Sequence, residues 1–261
     1  VVELTYAQLH AWLVAFLWPF MRISAFLMAA PLLGHSAVPA RVKVGLSALL
    51  AAAVAPGLPP MPEAPVWSWA GLGIIVEQTL IGAAMGLALR VMFSVVQAAG
   101  EYIGLQMGLA FATFLTPDGV NTVVLSRIFN TITLMMFLAV NGHLIVIDIL
   151  ASSFHTLPIG YTGLNPGGME LLVRYGGTIF ASGLLLALPL VAALLIINLS
   201  LGILNRSAPQ LTVFSVGFPT SLTLGLLLLT VLMTDFGRFL QHLFGGGLLF
   251  LQQLVETLAP L

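Results

Sequence analysis

Six ionisable residues lie inside or at the edge of long apolar runs: Arg22, Glu77, Arg90, Arg127, His143 and Asp148. A charge at the centre of a bilayer costs from about 2.5 kcal/mol upward, so such groups normally face a partner, water or a functional path. His143 and Asp148 are the pair whose chemistry suits a proton relay. They stand five residues apart, which puts them on poorly matched faces of one helix. The plainer reading is that His143 hydrogen-bonds beside a helix kink at Asn141-Gly142. Glu77 and Arg90 are 13 residues apart, about 20 Å along a straight helix. They cannot pair directly and need other partners.

Chemistry of other kinds has little to stand on. The chain lacks a Gly-x-Ser-x-Gly elbow, a His-Glu-x-x-His pair and a phosphate-cradling Gly-x-x-x-x-Gly-Lys-Ser/Thr loop. Its five histidines, at 10, 35, 143, 155 and 242, share no metal-ligand spacing, and cysteine is absent. A net charge of −1 offers no basic face for nucleic acid. No catalytic residue, metal or cofactor is expected.

The elements that must position these groups are set by composition. The chain is 59% hydrophobic and 7% charged, with a mean hydropathy of +1.10. Soluble domains are roughly 25% charged, so this is a membrane protein or a subunit enclosed by partners. The expected fold is all-α: helical hairpins with about six hydrophobic helices near 9–33, 44–58, 70–96, 128–151, 176–204 and 211–233. A more amphipathic C-terminal helix is expected at 235–258. Loops rich in Gly, Pro, Ser and Thr are expected at 34–43 and 152–175, and Pro56 to Pro62 reads as a stiff linker. Glu3 precedes the first apolar run with no separate cleavage site, so that run is expected to be retained. Arg41, Lys43 and Arg206 against Glu63 favour an N-out arrangement.

Three further features interrupt a plain bundle. Pro19, Pro31 and Pro189 fall within the spans, and irregular backbone at that depth requires cover from protein or a water-filled cavity. Gly82 and Gly86 are four apart, and Gly100, Gly104 and Gly108 form a similar row, a spacing that lets helix backbones approach closely. That packing can be within the chain or against a neighbour. The apolar stretch 106–121 is broken by Pro117-Asp118-Gly119, a turn sequence. It is either a re-entrant piece packed in a core or an obstruction in a pore, since Met107, Phe111 and Phe114 are bulky, deformable groups.

Residues 205–210, Asn-Arg-Ser-Ala-Pro-Gln, separate two runs each long enough to span, with Arg206, Pro209 and Gln210 at the tip. Arg206 is either a topology anchor or a contact that locks subunits. Gly217-Phe218-Pro219 then interrupts the return helix.

Arg206-Ser-Ala-Pro-Gln, with Val213-Phe214 and Gly217-Phe218-Pro219, resembles the signature of the FliR family of flagellar export-gate proteins. Thr212 stands where that family usually has Asn. Phe111-Ala-Thr-Phe114 and Phe137-Leu-Ala-Val-Asn141-Gly142-His143 are also similar to it, whereas Asp118 follows Pro117 instead of preceding it. The resemblance implies a structural and gating subunit of the type III export gate, a channel for unfolded flagellar subunits. It implies a plug at about 106–122, with Met107, Phe111, Phe114 and Pro117, and subunit contacts at Arg206, Pro209, Gln210, Phe214, Gly217, Phe218 and Pro219. It further implies P-type and Q-type partners (FliP and FliQ), export components of the FlhB and FlhA types, and secreted flagellar proteins as cargo. Residues 1–160 would resemble the P-type subunit and 161–261 the Q-type. The location implied is the bacterial inner membrane, in the core of the flagellar basal body. An injectisome subunit is the nearby alternative. A stand-alone transporter or channel should show two matching halves with corresponding breaks, and none is evident. A membrane-embedded hydrolase is a weaker third reading.

Overall fold

The computed structural model describes residues 6–32, 34, 38–62, 64–109, 123–160, 163–207 and 216–260, and among them it is all-α, with no strand. The helices are α1 (Tyr6–Ala29), α2 (Ala40–Val54), α3 (Trp69–Gln106), α4 (Val124–Ala139), α5 (Gly142–Thr156), α6 (Pro166–Gly176), α7 (Thr178–Ser207) and α8 (Phe218–Leu258). A short 3-10 turn, Ala55–Gly57, follows α2. Five helical stretches are long and apolar enough to cross a membrane, or six if α4 and α5 count as one bent span.

Several boundaries differ from the sequence expectation, each for a local reason. The span expected at 128–151 is broken at Val140-Asn141, where Asn141 takes a left-handed conformation (φ 57°) and α4 and α5 are bent by 70°. Asparagine tolerates that region better than a branched residue would. The loop expected at 152–175 contains α6. Asn165 receives the Gly167 amide on its side-chain oxygen at 2.9 Å, and Pro166 opens the helix where its missing N–H has no cost. The helices expected at 211–233 and 235–258 are one 41-residue helix from Phe218 onward. Asp235 and Arg238 pair at i, i+3 on its surface, so those charges mark an exposed face and not a break. Pro19 and Pro189 sit inside continuous helices, while Pro31 follows the end of α1.

The chain divides into two compact units. The first comprises residues 1–91, 141–176 and 246–261. In it α1 and the first half of α3 pack backbone to backbone. A Cβ at Gly82 would collide with the Arg22 carbonyl, and one at Gly86 would stand 2.5 Å from the Ala29 Cβ and 2.8 Å from the Phe26 carbonyl. Trp18, Ile23, Ile74, Ile81 and Met85 are buried around that contact. At the other end of this unit Gly168 of α6 abuts Leu258, and Tyr175 stacks on Phe250 with centroids 3.7 Å apart.

The second unit comprises residues 92–140 and 177–245. Its centre is aromatic: Phe137 meets Phe93 edge-on at 5.4 Å and Phe244 at 5.2 Å, and Phe129 lies 5.0 Å from Phe236. Such pairs add about 0.5–1.5 kcal/mol each beyond area burial. Close approach again occurs at glycines. Gly100 of α3 faces the Ser126 backbone of α4, and Gly183 of α7 sits on Val95 and Ala98 of α3.

The helices differ in how much of themselves they bury. In its most apolar window α3 has 61% of its residues inside the molecule, whereas α8 has 17%. On α7, Leu185, Ile196, Leu199 and Ile203 are largely exposed.

Gly82→Leu is expected to destabilise the protein by at least ~1–3 kcal/mol, since the added side chain must displace α1 backbone and not a flexible neighbour. Urea unfolding in detergent micelles, with Gly45→Leu as the control in open space, measures the difference.

Candidate functional site

The first unit is organised around a single buried cation. Arg22 of α1 has no exposed surface. Its Nε donates to the Gln78 side-chain oxygen of α3 at 2.8 Å. Its Nη1 donates to the Ser153 carbonyl at 2.9 Å and to the Ser153 hydroxyl at 3.0 Å, and its Nη2 donates to the Leu157 carbonyl at 2.8 Å. The guanidinium carbon lies 4.2 Å from the centre of the Phe154 ring. Glu77, also buried, supplies the nearby negative charge. A planar fork with five donors can hold three helices in one arrangement, which a lysine ammonium cannot.

Local sequence explains why these acceptors are available. α5 ends at Thr156, and the final carbonyls of a helix lack intrahelical donors. The Leu157 carbonyl is therefore open to the Nη2 group. Ser153 and Phe154 fall on the inward face of α5 together with Val146, Ile149 and Leu150. Of the six ionisable residues flagged in the runs, Arg22 and Glu77 are brought together, whereas Arg90, Arg127 and Asp148 are exposed. His143 and Asp148 do not form a relay. His143 is half-buried, and its Nδ1 has no hydrogen-bond partner among the described residues.

A polar node also marks the second unit, where α3 ends. Gly108 has φ +80°; its amide donates to the Leu105 carbonyl at 3.0 Å, and that of Leu109 donates to the Gly104 carbonyl at 2.9 Å. This paired arrangement caps a helix through a left-handed glycine. Gly108 thus terminates α3 and does not continue the packing row of Gly100 and Gly104. Met107 is buried, its side chain against Gly225 of α8. Beside it Asn198 of α7 receives the Ser221 hydroxyl of α8 at 2.6 Å and reaches the Gln106 carbonyl at 3.5 Å.

Gly104 meets the described residues on both sides of 110–122, Leu109 and Val123. Its carbonyl takes the Leu109 amide, and a Cβ on it would strike the Val123 side chain just before α4. Phe111, Phe114 and Pro117 lie outside the described residues. At the tip, Arg206 is exposed in the last turn of α7, and Pro209, Gln210 and Phe214 lie outside the described residues. Gly217 is buried, and Phe218 and Pro219 open α8. A change of helical geometry falls at this point, from a π-turn at Val216-Gly217 to the α-helix that opens with Phe218 and Pro219, and residues 211–215 of the expected return helix lie outside the described residues.

Among the described residues no group of three or more His, Asp or Glu could hold a metal ion. What these nodes accomplish is mechanical: buried polar groups fix helices whose outer faces are left apolar. The fold and these nodes define a multi-pass membrane protein made to be held in one arrangement.

Comparison with known proteins gives the class. The model of the family described as "Bacterial export proteins, family 1" matches residues 13–247. Flagellar biosynthetic protein FliR of Escherichia coli (strain K12) is 46% identical over 93% of this chain and 93% of its own length. The proteins of the same name from Pectobacterium carotovorum subsp. carotovorum, 46% identical over 89% of each chain, and Bacillus subtilis (strain 168), 31% identical over 84% of this chain and 86% of its own, are also similar. The chain belongs to the FliR family of bacterial export proteins.

Arg22→Met, which keeps apolar bulk but removes the donors, is expected to cost ~3–5 kcal/mol by removing a buried charge from beside Glu77 and leaving the Gln78 and Leu157 acceptors without their donor. Arg22→Lys is expected to recover only part, because one ammonium cannot reproduce the fork. Unfolding midpoints of both variants in micelles, with cellular protein levels, provide the check.

Proposed function

We infer that this chain is a structural and gating subunit of the flagellar type III protein export gate, framing a channel for unfolded flagellar proteins. The observation that carries the inference is its 46% identity, over 93% of its length, to a protein named flagellar biosynthetic protein FliR. The geometry supports it in two respects. Buried polar groups hold helices whose apolar faces stay open, as suits a piece of a larger membrane assembly. Gly104 also meets both Leu109 and Val123, the described residues on either side of the segment assigned below to the plug. The names of the relatives favour the flagellar system over an injectisome.

Within this reading, Met107, Phe111, Phe114 and Pro117 belong to the plug, and Met107 seats its root against α8. Arg206, Pro209, Gln210 and Phe214, with Gly217, Phe218 and Pro219, contact neighbouring subunits at the tip. Gly82, Gly86, Gly100 and Gly104 permit the close helix packing. Residues 1–160 correspond to a P-type subunit and 161–261 to a Q-type subunit. The partners are FliP, FliQ and components of the FlhB and FlhA types. The site of action is the inner membrane at the basal-body core, and the role involves no catalytic step and no nucleotide on this chain.

Deleting residues 109–118 in an assembled gate is expected to raise ion leakage, read as membrane depolarisation or single-channel conductance, while assembly persists. Unchanged conductance in an assembled deletion mutant would overturn the plug assignment.

A further inference from the structure

A second constellation on α5 takes no part in holding Arg22. Asp148, Ser152 and His155 stand at i, i+4 and i+7, on the face turned away from Ser153 and Phe154, and all three are exposed. With Val54, Gly57 and Leu58 at the end of α2 they line a cleft of about 360 Å³ in the first unit. The Asp148 side chain has neither an ion pair nor a hydrogen bond among the described residues. The four contacts of Arg22 go to Gln78, Ser153 and Leu157, so that cation is not available to it. The other wall carries the C-terminal end of α2, the negative pole of the helix dipole. Carboxylate and helix end therefore bias one cleft toward a positive charge, with a serine hydroxyl and an imidazole placed to bond it.

The rim is apolar. Leu49 of α2 and Leu144 and Ile145 of α5 are exposed in the same unit. In a membrane setting an uncompensated carboxylate beside apolar surface is costly, so the surroundings must supply a cation. A phospholipid ammonium would bring its phosphate with it, against Asp148 and the helix end. An arginine or lysine on an apolar protein helix brings no such repulsion.

We propose that the cleft between α2 and α5 is the docking site for an apolar helix of another export component, which inserts one arginine or lysine beside Asp148, Ser152 and His155. This rests on the export-gate reading and adds to it a place and a partner chemistry.

The chain has no native cysteine, so Ser152→Cys gives a single attachment point for a maleimide-benzophenone cross-linker in membranes of flagellated cells. The adduct is expected to map by mass spectrometry to an apolar helix of a co-purifying export component, within a turn of a basic residue. Adding Asp148→Asn, a near-isosteric change at an exposed position, is expected to lower adduct yield per chain roughly tenfold or more, as expected when one member of an enclosed charge pair is neutralised. Asp148→Glu should retain most of it. Adducts to lipid alone, adducts to a second copy of this chain, or a yield unaffected by Asp148→Asn would each overturn the proposal while leaving the export reading intact. Failure of the chain to co-purify with any export component would remove the export reading and this inference with it.

Discussion

Everything in the first unit follows from the need to satisfy Arg22. A fully enclosed guanidinium leaves no water to share its hydrogen bonds, so its acceptors must be protein, and each must be fixed. Gln78, Ser153 and the Leu157 carbonyl meet that requirement from two other helices. The result constrains rotation and register at once. α3 must turn Gln78 toward α1, which places Gly82 one turn on against the Arg22 backbone. α5 must end where it does, or the Leu157 carbonyl would be occupied by a following amide. An apolar side chain at position 22 could fill space but could not choose among rotations.

The second unit reaches the same end with neutral groups and aromatic packing. Phe137 meets Phe93 and Phe244 edge-on, and Ser126 bonds the Gln97 carbonyl where Gly100 lets α4 approach. The left-handed cap at Gly108 and the contact between Met107 and Gly225 then fix where α3 ends. A rigid frame of this kind suits an export channel, because any part that moves must do so against something that does not. The outer faces of α7 and α8 have no such constraint inside the chain, and their exposed leucines and isoleucines are surface suited to lipid or to other subunits.

Much of this was legible in the residues. Apolar run lengths gave the all-α membrane class. Arg22 stood out as an intramembrane charge. Its acceptors did not, because a glutamine and two backbone carbonyls carry no pattern, and a carbonyl becomes available only once a helix end is known. Gly108 read as part of a row because spacing alone cannot distinguish a helical glycine from a left-handed cap. α6 was hidden in a stretch rich in glycine and proline, although Asn165-Pro166 and the Glu170–Arg174 spacing signal a helix start and an i, i+4 pair. Proximity in sequence sets His143 against Asp148, while the helix places Asp148 beside Ser152 and His155.

These helices are locked internally so that other export components can enclose them. Native mass spectrometry of the chain co-expressed with candidate gate subunits measures this most directly. The expected result is one discrete hetero-oligomeric mass containing this chain, with little of it alone. A stable, monodisperse species of the chain by itself in lipid, unaffected by those subunits, would contradict it.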